Sequence, residues 1–518
     1  MPDSLEVGKR IVHDDFGHGR VLALLRGGRI VRVEFDEMPG APWDIPRNEL
    51  SSSKPSTVAV SEKTASPTPL KNQPPSMEQR EDRGEKRLEE RTEGQDSRTA
   101  RQALEALRLG VVPFDHLEIY TVGRDTELAA VSDMLHRSHG TQRLTVVLGD
   151  YGTGKTHFLE LAERQALAAG FLVGGATMDS REVLPSRPRR IYHQLAAGLR
   201  YPDDPTGEQT GLAPLLDRAL MDADLVQRWV SKKGEDYHPY LGPALAYWSA
   251  LRDEDFDNMD LKERLLDWIQ GAEVASNVEL WEMLRRDTGL KVRGARMYAM
   301  QDYRTVTHIY TLILGGIAEL ARQAGYSGLL VTVDEAEFYS ILSGRDRVLA
   351  EVLFKTFAAS CLPRDRLLFD PASLPRGGAE VHRSFSYRHT DDQALHCIFA
   401  LTHDPEGKAL LEKSIPKDRF MELSAFDTGD YVTLSERVLE LYCMAGVDLV
   451  LDSSMAPLMA EVIRPCHESG LIENPRQALK FITELVDLAR YSPEKIRPIL
   501  YDLVDRLKQL NAGRRAVP

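Results

Sequence analysis

Hydrophobic and polar positions divide this chain into three stretches of different rhythm. Up to about residue 50, short apolar runs are punctuated by glycine: Arg10-Ile11-Val12, Arg20 to Leu25 and Ile30 to Phe35. Val31, Val33 and Phe35 alternate with Arg32 and Glu34, the period of a half-buried strand, and Gly27-Gly28 just before them is a hairpin signal. The pattern predicts a small β-barrel over residues 1–50, close to the lower size limit for independent folding. From Ser51 to about residue 98 the rhythm vanishes. Ser, Thr, Pro and Lys dominate, Glu78 to Arg91 is almost entirely charged, and too few apolar residues remain to form a core. This stretch reads as a disordered tether with an r.m.s. span of roughly 35–40 Å.

From residue 99 onward, strand-like runs alternate with helix-like ones, the order of an α/β fold. The runs at 144–148, 171–173, 329–333 and 396–401 predict strands. Between Lys155 and Asp334 lie 178 residues (334 − 155 − 1), whereas one strand and two helices with ordinary loops need about 50. A large insertion is therefore expected at about 205–302, mostly helical from Leu212 to Asp302. It serves either to contact a substrate or partner or as a passive helical buttress. The expected layout is a core over 99–425 and a helical lid over 426–518.

The chemistry begins at Gly149-Asp150-Tyr151-Gly152-Thr153-Gly154-Lys155-Thr156, which fits the phosphate-binding loop pattern G-x-x-x-x-G-K-[S/T] without a mismatch. It follows the β-branched run Leu144 to Leu148 and precedes a helix-like segment from His157, the strand–loop–helix context the motif needs. Its glycines let backbone N–H groups turn in around the phosphates, and the helix N-terminus adds positive potential. Lys155 would neutralise phosphate charge and Thr156 would ligate Mg²⁺, so a nucleotide, ATP or GTP, is the expected ligand. The run 329–333 ends in Asp334-Glu335. Asp334 would hold Mg²⁺ through its water shell, and Glu335 would orient and deprotonate the attacking water. An Asp-Glu pair of this kind favours the additional-strand NTPases, in which an extra strand lies between the phosphate-loop strand and the Mg²⁺ strand. Thr402, at the end of the 396–401 run, would sense the γ-phosphate, or else serve as a turn before Asp404-Pro405.

Composition narrows the rest. A formal net charge of −14 excludes a histone-like coat of positive charge, so nucleic acid would have to meet a local patch; Arg187, Arg189 and Arg190 form one such cluster. The four cysteines, Cys361, Cys397, Cys443 and Cys466, are widely spaced, without the pairs that a zinc site or disulfide framework requires. The N-terminus lacks the features of a secretory signal, and Ile309 to Ala318 is far short of a membrane span, so a cytoplasmic protein with no membrane partner is expected.

Several stretches resemble known families. Thr121 to Leu128, with Gly123 and Arg124, looks like the Val-Gly-Arg-Asp/Glu box of initiator-type AAA+ and STAND ATPases, which lies near the adenine. Glu473 to Leu479 resembles the Asn-Pro-Arg start of the initiator-type lid helix, which implies that Arg476 reaches back to the γ-phosphate. From about Arg101 onward the chain is similar to the ATP-binding, BrxD-like proteins of BREX phage-defence systems. The phosphate loop, Ser186 to Tyr192, and Ala324 to Leu330 running into Asp334-Glu335-Ala336-Glu337 carry that resemblance. Val12-His13, Phe16 to Val21 and Val31 to Phe35 look like the Tudor-like barrel of UvrD-type helicases and CarD-type proteins, which docks on partner proteins. The resemblances imply an additional-strand, AAA+/initiator-like P-loop NTPase core with a helical insertion and helical lid, plus the small N-terminal β-barrel. They also imply ATP and Mg²⁺ as cofactors, ATP-dependent homo-oligomers, and action on DNA or loading of a partner helicase in anti-phage defence. The rival reading is a nucleotide-gated scaffold that assembles defence partners with little turnover.

Overall fold

The computed structural model of the chain describes residues 9–13, 17–25, 30–35, 43–46, 50–51, 96–113, 115–136, 143–179, 181–204, 206–251, 256–274, 276–290, 297–300, 307–336, 342–376, 380–446 and 455–515. Two compact units separate, one over Met1–Glu81 and one over Asp82–Pro518. The stretch read as a tether lies outside the described residues apart from its ends, as does the Gly27-Gly28 turn.

In the first unit, β1 (Arg10–His13), β2 (Gly17–Leu25), β3 (Ile30–Phe35), β4 (Trp43–Pro46) and β5 (Leu50–Ser51) form one antiparallel sheet in the order β4-β3-β2-β1-β5. The alternation read from the sequence holds where it is described: Val31 and Val33 are buried and Arg32 is exposed. Val21 pairs with Val33 and Ala23 with Arg32, so Leu22 is an extra residue, a bulge that bends β2. Among the described residues the edge strands β4 and β5 do not pair with each other, so the sheet is not shown to close into a barrel.

The second unit opens with a helix over 96–109 (α1) and α2 (Asp125–His136). Then come β6 (Leu144–Leu148), α3 (Lys155–Ala168), β7 (Phe171–Thr177) and α4 (Pro188–Ala197). The insertion follows as α5 (Ala213–Ala219), α6 (Ala223–Val230), α7 (Leu241–Ala250), α8 (Phe256–Ile269) and α9 (Asn277–Thr288). Next are α10 (Thr307–Gln323), β8 (Gly328–Asp334), α11 (Gly344–Cys361), α12 (Glu380–Ser384), β9 (Leu395–Leu401), α13 (Pro405–Glu412) and β10 (Phe420–Glu422). The chain ends in α14 (Thr428–Met444), α15 (Met455–Glu468), α16 (Pro475–Tyr491) and α17 (Pro493–Arg515).

The five strands β6 to β10 form a parallel sheet in the order β10-β6-β9-β8-β7. Strand β9 thus lies between the phosphate-loop strand β6 and the strand β8 that ends in Asp334, the extra-strand order expected from Asp334-Glu335. Both faces are covered, which is why these strands read as continuous apolar runs. On one face Val147, Val173, Leu330 and Ile398 pack with Phe158 and Leu159 of α3. On the other, Val146, Leu172, Val331 and Phe399 join the cluster of α4, α10, α11 and the insertion.

The insertion is part of that core. Trp229 is fully buried and its indole N–H donates to Gln323 of α10 at 2.9 Å; Trp268 donates to the Tyr298 carbonyl at 2.9 Å. In α10, a Cβ on Gly315 or Gly316 would strike Gln393 or His238, so the two glycines let those side chains reach the helix axis. The helix over 96–109 shares its apolar cluster with Leu161 of α3 and with α14, α15, α16 and α17. No described helix is long and apolar enough to cross a membrane.

Candidate functional site

Strand register gathers the polar residues at one edge of the sheet. Leu148 is level with Leu401, and Val333 with Phe399, so Gly149, Asp334 and Thr402 emerge side by side from adjacent strand ends. Two backbone bonds hold the edge: Gly149 N–H donates to the Leu401 carbonyl at 3.2 Å, and Ala336 N–H to the Ala400 carbonyl at 3.0 Å. In the loop after β6, Gly152 and Gly154 take φ values of 84° and 95°, open to glycine at little cost. Gly154 caps α3, so the unpaired N–H groups of the first helical turn begin where the loop ends.

Around this turn the predicted side chains converge. Lys155 is 8% exposed, and its Nζ donates to the carbonyls of Gly149 (3.0 Å) and Asp150 (3.2 Å) and to Thr402 Oγ1 (3.0 Å). Thr156 Oγ1 donates to Asp334 Oδ2 at 2.6 Å. The pair offers hard oxygen donors at one point, the donor type Mg²⁺ takes, so the residues present fit that ion. Glu335 follows with φ 53°, and its N–H donates to Asp334 Oδ1 at 2.8 Å, which turns the carboxylate pair into the cleft.

That cleft, about 930 Å³ with its open mouth included, runs from Lys155, Thr156, Asp334, Glu335 and Thr402 to an apolar end. Leu107, Val111, Val112, Tyr120, Val122, Phe426, Leu434 and Leu479 line the apolar end. A polar end with cation and carboxylates joined to an apolar slot matches a nucleotide's own division into phosphates and base. Much of the apolar end was missed in the sequence. It is assembled from α1 with its following loop, the segment after β10, α14 and α16, which are distant in the chain and carry no motif.

The boxes flanking the loop take up positions around it. Arg124 is 3% exposed; its guanidinium donates to the Thr153 carbonyl at 2.9 Å and the Ser424 carbonyl at 2.8 Å, pairs with Glu127 at 3.6 Å, and stacks on Phe426. Burial pulls its pKa down, opposed by Glu127. Arg124 thus braces the phosphate loop against the segment after β10, while lining the cleft. Gly123 takes φ 63° just before it. His157 is bonded to Thr121 Oγ1 at 2.9 Å, and burial lowers its pKa to about 4, so it is neutral at pH 7. At the mouth, Asn474 caps α16 by accepting from Gln477 N–H at 3.0 Å, and Arg476 Nη1 donates to Tyr151 Oη at 2.5 Å.

The other candidate arginines lie outside the cleft. Arg187 is exposed at the start of α4, whereas Arg189 and Arg190 are half-buried, Arg189 facing Glu273 at 3.9 Å and Arg190 donating to the Glu182 carbonyl at 3.1 Å. Elsewhere on the surface, Arg366 bonds Asp418, Arg364 faces Asp391 at 3.8 Å, and Arg376 lies over Tyr387.

Residues 96–244 match the family model described as "BREX system ATP-binding protein BrxC/D". That span holds the phosphate loop, Gly123, Arg124 and the arginine cluster, and stops before Asp334. No curated protein matches the chain. Among solved structures, the chain is similar to the Aeropyrum pernix ORC2 protein, described as ADPNP–ADP complexes. The identity is 15% and the TM-score 0.31, over 75% of this chain and 68% of that one.

Proposed function

We propose that this chain binds and hydrolyses Mg²⁺-ATP as an AAA+-like motor or switch in bacterial anti-phage defence, acting on DNA or loading a partner helicase. One observation carries the chemical part: Lys155, the bonded pair Thr156–Asp334, Glu335 and Thr402 meet in a single cleft. The role in defence rests on the family match over 96–244.

Lys155 and the loop N–H groups bind the β- and γ-phosphates, and Thr156 with Asp334 holds Mg²⁺. When bound, Mg²⁺ would neutralise charge on the phosphate oxygens. Thr402, 3.0 Å from the Lys155 ammonium, donates toward the γ-phosphate from the end of β9. Glu335 orients a water molecule and takes its proton. Arg476 approaches from α16, the first helix turn after the Asn474 cap.

The test separates binding from chemistry. Lys155→Ala is expected to weaken ATP binding, since a cation on the phosphates is lost. Glu335→Gln is expected to keep affinity, trap ATP and lower turnover by about 10²-fold or more, since the proton acceptor is lost while shape remains. Wild-type turnover in Glu335→Gln would refute this base. Tight binding with negligible wild-type turnover would favour the scaffold instead. Duplex or single-stranded DNA added to the same assay probes the DNA role, for which exposed Arg187 is the best-placed member of its cluster. Mass measurement of Glu335→Gln with ATP probes assembly into several copies.

A further inference from the structure

Tyr151 occupies one of the variable positions of the phosphate loop, where the pattern asks only for a backbone. The aromatic side chain there is 69% exposed. Arg476 meets it twice. Its guanidinium lies over the ring, 4.8 Å from the centroid, and Nη1 donates to the phenol oxygen at 2.5 Å. Beside that pair, Arg476 N–H donates to the Gly152 carbonyl at 3.4 Å. A Cβ on Gly152 would come within 2.6 Å of Asn474 Oδ1, the cap of α16. The cap of α16, the backbone N–H of Arg476 and the Arg476 side chain therefore rest on two consecutive loop residues.

We propose that Tyr151 is a positioning residue: its side chain docks the start of α16 on the phosphate loop and holds the Arg476 guanidinium at the mouth of the cleft, ready for the terminal phosphate. The inference rests on the nucleotide-binding reading for its functional half and on contacts alone for its docking half. An arginine side chain left free loses rotamer freedom when it binds an anion; stacked on an aromatic face it has already lost it. The ring and hydroxyl together fix one edge of the planar guanidinium and leave donors on its other edge. Because the partner sits on the loop that wraps the phosphates, movement of the loop and movement of α16 are one event. Gly152 is the second half of the device, since only a residue without Cβ lets the cap of α16 come that near.

The experiment compares Tyr151→Ala, Tyr151→Phe, Arg476→Ala and the Tyr151→Ala/Arg476→Ala double variant in the full chain. Without nucleotide, hydrogen exchange at the α16 amides of residues 476–478 is expected to quicken in Tyr151→Ala and to stay near wild type in Tyr151→Phe, which keeps the ring. With ATP, Tyr151→Ala is expected to lose about three- to tenfold in affinity, the worth of one stacked cation and one hydrogen bond. The double variant is expected to be no worse than Arg476→Ala, because Tyr151 acts through Arg476. Unchanged exchange in Tyr151→Ala would overturn the docking, and affinity losses that add in the double variant would overturn the positioning role. If ATP does not bind the wild-type protein at all, the nucleotide reading fails while the exchange result still decides the docking.

Discussion

Glu335 shows at the residue scale how the fold builds chemistry. With His116 it is one of two non-glycine residues at positive φ among the described residues, a conformation that costs about 1 kcal/mol or more and persists only where neighbours impose it. Here the Asp334 carboxylate takes its N–H and β9 takes the next one, from Ala336. Other buried residues tie stability to pH. Burial holds His238 well below the ordinary imidazole range and brings His308 and His396 to about 4. Unfolding frees each to take a proton near pH 6.5, so the unfolded chain binds more protons between about 6.5 and 4. Stability contributed by their neutral burial is thus present above about 6.5 and drains away as pH falls through that window. Glu163 acts in the opposite sense: burial, against the pull of Arg200, raises its pKa, so its contribution favours the folded state at lower pH. With His157, also lowered to about 4, four histidines outweigh one glutamate. The urea midpoint is expected to be lower at pH 5 than at pH 7.5, and equal midpoints would show that these imidazoles do not stay neutral in the folded state.

At the scale of elements, what could be read in advance depended on whether a pattern was local. The phosphate loop, β6, β8 and β9 announce themselves because buried parallel strands are unbroken apolar runs and the loop's glycines are demanded by its backbone. The order that puts β9 between β6 and β8 was legible through a chemical proxy, Glu335 following Asp334. By contrast β10, only Phe420–Glu422, is too short to show any period, yet it flanks β6 and leads to Phe426 in the cleft. Likewise nothing in 96–109 reveals that this helix packs with α14 to α17, because an apolar helix face does not say which partner it meets. The insertion was legible as helical but not as core. Trp229 decides that point. Replacing it with Ala removes a fully buried indole that bridges to α10, with an expected loss of about 3–5 kcal/mol. A single cooperative melt at lower temperature is the expected result. Loss of only part of the helical signal, with the remainder melting as wild type does, would mean that the insertion is a separate module.

At the scale of the molecule, the two compact units have different chemistry. Every residue of the cleft belongs to the second unit, from Leu107 to Leu479. The first contributes a five-stranded antiparallel sheet whose described core holds Val21, Val31 and Val33. Its sequence predicts a partner-docking barrel followed by a tether; the described strands form one open sheet, and the stretch that follows is polar in composition. In general, a small module joined through a polar linker raises the local concentration of whatever it binds. We propose that the first unit recruits a partner while the second carries the nucleotide chemistry. Deleting residues 1–95 is expected to leave cooperative melting of the remainder and basal ATP hydrolysis within about twofold of the full chain. The same deletion is expected to abolish a partner interaction that the isolated 1–81 segment retains in pull-downs, and to weaken defence in cells. If the shortened protein precipitates or loses ATP turnover, the first unit is a structural part of the motor and the recruitment role is refuted.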